Sequence, residues 1–152
     1  MKILKVYLDT SVIGGCFDEE FKEDSNKLIE EIRLGLKIGV VSEITIEELN
    51  KSPNHIKDFY SLFNNLLERV NTNLEIENLA EEYVKQNIVT RKYLNDAGHI
   101  AHATFYNADV LVSWNFKHIV NFNKIIQFNA VNIKNGFKSL QIYSPKEVLL
   151  NV

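Results

Sequence analysis

Short apolar runs alternate along the chain with longer segments whose apolar residues recur every three to four positions. The short runs predict strands at residues 3–8, 40–42, 110–113 and 140–143. The periodic segments predict helices at residues 25–38, 42–50, 56–70, 77–89, 97–105 and 117–135, and a short one after 144. Strands that alternate with helices are typical of parallel βαβ units, so the pattern predicts an α/β fold.

Glycine, proline and capping residues suggest where these elements end. Gly39 is expected to end the helix at 25–38, and the glycine pair at 14–15 indicates a loop or turn. Residues 144–147 combine a capping box with a proline at the first helical position, which predicts the last helix. Leu74 and Ile76 fit either a short strand or a connection.

Composition places the chain among ordinary globular proteins. Its 152 residues are 45% hydrophobic and 24% charged, which excludes a disordered chain, a collagen-like fibre and a coiled-coil rod and predicts one domain over residues 1–152. The single cysteine, Cys16, excludes an intrachain disulfide and a cysteine-based zinc site, so we expect a cytoplasmic protein. The sequence contains no apolar run of roughly 20 residues, the length of a membrane span. A signal peptide is not expected either, because Lys5 follows Lys2 too closely to leave room for its apolar region. We therefore expect no membrane association.

The charge is unevenly distributed. The net charge of −3 argues against a protein that coats nucleic acid non-specifically. Residues 1–114 contain 12 basic and 19 acidic side chains, whereas residues 115–152 contain 5 lysines and 1 glutamate. An acidic body could hold cations while the basic segment attracts an anion, although solvated surface charge explains the same counts.

Acidic residues follow the predicted strands. Asp9 comes directly after the first strand, Glu47 and Glu48 lie in the helix entered from the second, and Asp96 opens the helix that precedes the strand before Asn115. Parallel sheets bind ligands beyond the carboxyl ends of their strands. Carboxylates that converge there repel one another unless a divalent cation neutralises them, and Mg²⁺ and Mn²⁺ prefer such oxygen ligands.

Each acid also has a purely structural explanation. Asp9 could accept backbone N–H groups in its turn, Glu48 could complete a capping box with Thr45, and Asp96 could be an N-cap. From residue types and spacing alone, both interpretations stay open.

Four segments in order resemble the acidic motifs of the PIN-domain family. They are LDTSVI at 8–13, VS at 41–42 with EEL at 47–49, DAGHIA at 96–101 and DVLVSWNF at 109–116. The resemblance implies a three-layer α/β/α sandwich with a central, mainly parallel sheet of about five strands. It also implies a nuclease that uses Mg²⁺ or Mn²⁺. Many small bacterial and archaeal members are similar to VapC-type toxins of toxin–antitoxin pairs, which cleave RNA.

The resemblance assigns roles to individual residues. Asp9, Glu48 and Asp96 match the first three acidic positions and are the expected catalytic residues and metal ligands, with Glu47 as the fallback for the second. Asn115 stands where many members carry an aspartate. Its amide oxygen can still bind a cation, but the missing charge weakens a second metal site.

A phosphodiester hydrolase also needs groups that hold its substrate. We expect Thr10, Ser11 and Ser113 to position waters or phosphate oxygens, and Lys117 and His118 to contact phosphate. The aromatic residues between 114 and 137 alternate with lysines, a pattern that can bind single-stranded RNA, although phenylalanines in helices are usually buried in the core.

The histidines offer a different metal chemistry. His99 and His102 are three residues apart, but without further ligands a zinc site is not expected, and His99 is expected to support or pack near the acidic site.

The leading hypothesis is therefore a metal-dependent ribonuclease, either the toxin of a type II pair with a small antitoxin or a stand-alone nuclease. The resemblance also implies a homodimer. The alternative is a catalytically weakened PIN-like domain that binds RNA or protein, and Asn115 is its main support. A flavodoxin-like or other phosphoryl-transfer protein is disfavoured because the sequence contains no phosphate-binding loop.

Overall fold

The computed structural model describes residues 2–150, which form five strands and eight helices around one sheet. The strands are β1 (Lys5–Leu8), β2 (Ile38–Ser42), β3 (Glu68–Val70), β4 (Val110–Val112) and β5 (Ile142–Tyr143). The helices are α1 (Thr10–Gly14), α2 (Lys22–Arg33), α3 (Glu43–Asn50), α4 (Asn54–Ser61), α5 (Leu74–Lys85), α6 (Leu94–Phe105), α7 (Phe122–Lys134) and α8 (Pro145–Val148). All strand pairs are parallel, in the order β3-β2-β1-β4-β5. The predicted α/β/α architecture with a five-stranded sheet is confirmed.

Side chains on the two faces of the sheet form two separate hydrophobic cores. Along β1, Val6 and Leu8 point into one core and Tyr7 into the other, as the two-residue repeat of a strand requires. The core with Val6 is completed by residues of α1, α2, α3 and α4, including Ile13, Leu28 and Leu49. The core with Tyr7 is completed by residues of α5, α6 and α7. The sheet is thus covered by helices on both faces.

The register of the central strands brings three strand ends to one edge. Leu8 at the end of β1 pairs with Val112 at the end of β4, and Tyr7 pairs with Val40 near the end of β2. The residues that follow these strands therefore meet at this edge, where the sequence places Asp9, α3 and Asn115.

The helix predicted at 56–70 is wrong over its second half. Helix α4 ends at Ser61, a 3₁₀ turn covers Asn64–Leu66, and Glu68–Val70 forms the edge strand β3. The backbone hydrogen bonds tighten to three-residue spacing at Leu62, which donates its N–H to the carbonyl of Phe59. Pairing of β3 with β2 outweighs the local helical pattern.

Gly39 does not end a helix, which corrects the predicted boundary at 38. Helix α2 ends at Arg33, and Gly35 adopts the left-handed conformation with φ of 76° that ends many helices. Gly39 lies inside β2, where a Cβ atom would stand 2.5 Å from Cδ2 of Leu67. The absence of a side chain at Gly39 lets Leu67 pack directly on the strand.

Other predicted boundaries change as well, among them the end of the helix at 77–89, which lies at Lys85. Leu74 and Ile76 belong to the first turn of α5, because the side chain of Asn73 caps this helix by accepting the N–H of Ile76 at 2.9 Å. Gly14 ends α1 and Gly15 begins a 3₁₀ turn, so of the expected loop or turn the turn is observed. Helix α7 starts at 122, not 117, and the predicted capping box at Ser144 and Glu147 is present.

Within residues 2–150, no helix is both long and apolar enough to cross a bilayer.

Candidate active site

Asp9 is a buried carboxylate at the end of the central strand. Its side chain is 4% exposed, and it makes no capping hydrogen bond to α1, which excludes the turn-stabilising role. Instead, Oδ1 accepts the hydroxyl of Ser11 at 2.6 Å and Oδ2 accepts that of Ser113 at 2.5 Å. Burial raises the pKa of Asp9, and the two hydroxyls partly offset that effect.

The same two serines fasten the loop after β4 to Asp9. Oγ of Ser11 accepts the backbone N–H of Trp114, and Oγ of Ser113 accepts that of Asn115, each at 2.9 Å. The hydroxyls expected to contact waters or phosphate oxygens are thus engaged in holding the carboxylate and the loop together.

Glu48, rather than Glu47, faces the site. Glu47 is exposed on α3, whereas Oε1 of Glu48 accepts the hydroxyl of Thr10 at 2.8 Å and contacts Nε2 of His99 at 2.7 Å. The capping box of α3 is formed by Ser42 and Thr45, so Glu48 is not a capping residue. Burial acts to raise the pKa of Glu48, but the hydrogen bonds from His99 and Thr10 outweigh it and the pKa lies below its usual value.

A buried hydrogen-bonded chain supports Glu48 from behind. The hydroxyl of Tyr7 lies 2.7 Å from Nδ1 of His99 and 2.7 Å from Oγ of Ser42, and all three side chains are buried. In the His99 tautomer whose Nε2–H donates to Glu48, Nδ1 accepts the hydroxyl of Tyr7. The oxygen of Tyr7 then accepts the hydroxyl of Ser42. Tyr7 and Ser42 are not among the predicted site residues. The signal for them is a tyrosine inside an apolar central strand, since its buried hydroxyl needs a hydrogen-bond partner.

Helices α3 and α6 approach closely enough for this chain because position 98 is glycine. A Cβ atom on Gly98 would stand 2.3 Å from Cδ1 of Ile44. Glycine in a helix interior costs about 1 kcal/mol relative to alanine. Here it allows α6 to place His99 against Glu48 of α3.

Asp96 approaches the site from the first turn of α6. The helix begins at Leu94, so the expectation that Asp96 caps it is wrong. Burial raises the pKa of Asp96 to about 6; nearby His99 opposes this shift, and the charges of Asp9 and Glu48 add to it. The three carboxylates are thus electrostatically coupled at one edge of the sheet.

Asn115 presents its amide nitrogen, not its oxygen, to Asp96. Nδ2 donates to Oδ2 of Asp96 at 3.3 Å, while Oδ1 accepts the backbone N–H of His118 at 2.9 Å. This hydrogen bond favours the ionised form of Asp96 and acts to lower its pKa, against the effect of burial.

The two residues expected to contact phosphate lie in the same loop. Lys117 is exposed, and the ring of His118 lies against that of Tyr93 with centroids 3.9 Å apart. Burial, with Lys117 and Lys124 nearby, lowers the pKa of His118, which favours the neutral ring.

The donor set of the site suits a hard divalent cation. Among residues 2–150, no three acidic, histidine or cysteine side chains are close enough to hold an ion directly between them. Mg²⁺ keeps several of its waters and is commonly bound through one or two carboxylates, so the buried Asp9 with Glu48 and Asp96 around it fits such an ion. Carboxylate oxygens are also the ligands that Mg²⁺ and Mn²⁺ prefer.

Zinc chemistry does not fit the histidines. His99 is bonded to Tyr7 and Glu48, and Nδ1 of His102 contacts the carbonyl oxygen of Gly98 at 2.7 Å, away from that chain. Cys16 is buried, and burial raises the pKa of its thiol to about 12, so it is packed as a small apolar residue.

Comparison with known proteins identifies the family. A PIN domain family model matches residues 6–118, which span the candidate acids and the loop after β4. The chain belongs to the PIN domain family. PIN domains are typically nucleases and generally use divalent metals. No sequence among the curated proteins matches the chain significantly.

Solved structures with the same fold include chains of three complexes. VapBC-1 from nontypeable Haemophilus influenzae is 22% identical with a TM-score of 0.60, and the alignment covers 94% of this chain and 99% of that one. VapBC2 from Rickettsia felis, bound to a DNA fragment from their promoter, is 19% identical with a TM-score of 0.58 and coverage of 91% and 97%. FitAcB from Neisseria gonorrhoeae is 13% identical with a TM-score of 0.59 and coverage of 94% and 99%. At these identities the likeness concerns the fold of the PIN domain.

Proposed function

We propose that this PIN domain is a divalent-metal-dependent endoribonuclease that hydrolyses phosphodiester bonds of RNA. The observation that carries the proposal is the buried Asp9 carboxylate, electrostatically coupled to Glu48 and Asp96 at the carboxyl edge of the sheet. The charges of Asp9 and Glu48 disfavour ionisation of Asp96, and a bound cation would relieve that repulsion.

Asp9, Glu48 and Asp96 would hold Mg²⁺ or Mn²⁺, in part through waters that the ion keeps. When bound, such an ion lowers the pKa of a coordinated water and offsets the charge of the phosphate. Thr10 and His99 both contact Oε1 of Glu48, so Oε2 is the atom that can orient the attacking water or accept its proton. The lowered pKa of Glu48 keeps that carboxylate ionised for this role.

The loop after β4 supplies the groups for the substrate. Lys117 is exposed and can contact a phosphate, and His118 lies beside it. Ser11, Ser113 and Thr10 act indirectly, since their hydroxyls fix the orientation of Asp9 and Glu48.

We further propose that the protein is the toxin of a type II toxin–antitoxin pair, restrained by a small antitoxin. The support is the fold shared with chains of the VapBC complexes over 91% to 94% of this chain. A homodimer is part of the same proposal, as the family resemblance implies. The test is co-expression with a small antitoxin-like reading frame found next to the gene: the expected result is one stable complex that lacks nuclease activity, and the absence of such a frame or of a complex contradicts this proposal.

Asn115 favours a second candidate, a PIN domain that binds RNA but cleaves it poorly. Its amide nitrogen, rather than a ligating oxygen, faces Asp96, and a carboxylate is missing at this position. Cleavage of RNA that depends on added Mn²⁺ or Mg²⁺ supports the nuclease. Binding of RNA without cleavage at any tested concentration of either ion supports the second candidate.

The two neighbouring glutamates of α3 provide a matched test of the nuclease. Glu48→Gln keeps an oxygen for Thr10 and His99 but removes the charge, whereas Glu47→Gln makes the same change on the exposed face. We expect Glu48→Gln to lower the single-turnover cleavage rate at saturating Mn²⁺ by about 100-fold or more, the range of a lost general base. Glu47→Gln should leave that rate within about twofold of the wild type, in keeping with a surface position.

Circular dichroism and thermal unfolding in EDTA check that both variants are folded. Equal cleavage rates for the folded Glu48→Gln variant and the wild type would refute the assignment of the second acid. A loss in the Glu47→Gln variant alone would move that role to Glu47.

A further inference from the structure

Three aromatic rings form a cluster beside the acidic site. The rings of Phe21 and Trp114 are stacked with centroids 4.2 Å apart and planes 14° apart, and the ring of Phe116 lies 6.2 Å from Trp114 and 6.3 Å from Phe21. Trp114 lies between Ser113, which donates to Asp9, and Asn115, which donates to Asp96. Along the backbone, the aromatic cluster thus adjoins the two residues that bond to the carboxylates.

Trp114 is fixed by its surroundings and supports the cluster. Its Nε1 donates to Oγ of the buried Ser25 at 2.7 Å, and Phe21 covers one face of the indole. Gly15 lies so close that a Cβ atom there would stand 2.8 Å from the indole ring. These contacts leave little of Trp114 for a ligand, so it acts as a rigid support.

Phe116 is the ring of the cluster that faces solvent. It is 49% exposed, although it lies one residue from Asn115. The next residue, Lys117, is exposed as well, and it begins the basic part of the chain, in which 5 lysines accompany 1 glutamate. An exposed aromatic face next to a cation suits a strand with stacked bases and a negative backbone.

We propose that Phe116 is a stacking surface for one unpaired base of an RNA strand, next to the phosphodiester held at the carboxylates, with Lys117 against the adjoining phosphate. The proposal rests on the proposed function for its choice of RNA as the ligand. A base can stack on this ring only if it is not paired with a partner strand. Stacking tolerates any of the four bases, because every base has a π face. The site thus selects single-stranded over double-stranded RNA at this position.

Binding in EDTA separates this proposal from the nuclease activity, because no cleavage is required. The probe is a fluorescein-labelled single-stranded RNA of mixed sequence and about twelve nucleotides, compared with its duplex. Fluorescence anisotropy gives the Kd. Trp114 is the only tryptophan of the chain, so quenching of its emission by the unlabelled RNA reports on a base at the cluster.

Three variants define the contribution of the ring. Phe116→Leu keeps an apolar side chain without the ring, and we expect its Kd for the single strand to rise about fivefold or more, as for loss of one stacked base. Phe116→Tyr keeps the ring and should stay within about twofold of the wild type. Phe122→Leu makes the same ring removal at a phenylalanine that is 78% exposed at the start of α7, and its Kd should not change.

The proposal is overturned if the wild type does not bind the single strand, if it binds the duplex equally well, or if Phe116→Leu binds like the wild type. An equal loss in Phe122→Leu overturns it too, since the effect would then be a general one of surface apolarity. If RNA binding depends on the ring at 116 but the wild type cleaves nothing with Mn²⁺, the stacking site stands and the nuclease proposal fails.

Discussion

The buried hydrogen bonds that connect Ser42, Tyr7, His99 and Glu48 lead to a quantitative prediction for the free energy of unfolding. Tyr7→Phe removes one oxygen atom and leaves the ring in place. The hydroxyl of Tyr7 forms two hydrogen bonds of 2.7 Å, one with Ser42 and one with Nδ1 of His99. The variant therefore tests the chain without opening a large cavity.

The expected loss of stability follows from the partners left behind. Ser42 still accepts the N–H of Ile44 at 3.2 Å, so its oxygen stays bonded and only its hydroxyl proton loses a partner. His99 is buried and loses the hydrogen-bond partner of its Nδ1 atom. Leaving such a buried atom without a partner costs about 1–3 kcal/mol, whereas an ordinary hydrogen bond contributes a net value of about 1 kcal/mol. We expect Tyr7→Phe to lower the free energy of unfolding by about 2–3 kcal/mol, or Tm by roughly 4–12 °C for a chain of this size.

The measurement is thermal and urea unfolding of the metal-free protein in EDTA. Tyr143→Phe is the control, because Tyr143 is partly exposed and its hydroxyl donates only to Oε1 of Gln141 at 3.1 Å on the surface. The control should change the free energy of unfolding by less than about 0.5 kcal/mol. A loss for Tyr7→Phe no larger than that of the control would refute the connected chain.

Two further predictions concern the acids themselves. Asp96→Asn removes a carboxyl whose pKa is about 6 in the folded protein and 3.8 in the unfolded chain, so the folded state binds its proton more tightly and stability falls as pH rises between these values. In EDTA the stability of the variant should not decrease over this pH range, and at neutral pH its Tm should equal or exceed that of the wild type. Mn²⁺ should raise its Tm by less than it raises that of the wild type. A much lower Tm in EDTA would mean that Asp96 is mainly structural. Asn115→Asp can keep the N–H of His118 on one oxygen and turn the other toward Asp96, so calorimetry should show tighter Mn²⁺ binding at equal pH and salt. Unchanged affinity would place residue 115 outside the coordination sphere.

The sheet and its functional edge could be predicted because each strand is a short apolar run. Residues 3–8, 40–42, 110–113 and 140–143 each overlap an observed strand, and the rule for parallel sheets then placed Asp9 and Asn115 at one edge. Residues 68–70 could not be recognised in the same way. Their apolar neighbours continue a helical spacing, and only pairing with β2, more than twenty residues earlier, makes them a strand.

The candidate acids could be predicted from motifs, but their support could not. Glu48 faces His99 only because α3 and α6 touch at Gly98. Tyr7 reaches His99 only because the strand repeat turns it to that face of the sheet. Both facts depend on packing between segments that are far apart in sequence. Asp96 looked like a cap because its spacing fits one, and the earlier start of α6 at Leu94 is decided by the 3₁₀ turn before it.

The position of β1 in the sheet also sets when the acidic site can first be completed during synthesis. β1 is the central strand, and one of its two neighbours, β4, pairs Val110 with Val6 across more than a hundred residues. At roughly 5–20 residues per second, the ribosome takes about 5–20 s to reach β4 after making β1. Until then Ser113 and Asn115 do not exist, and Asp9 lacks one of the two hydroxyls that hold it. The acidic site is therefore one of the last parts of the molecule that a growing chain can complete.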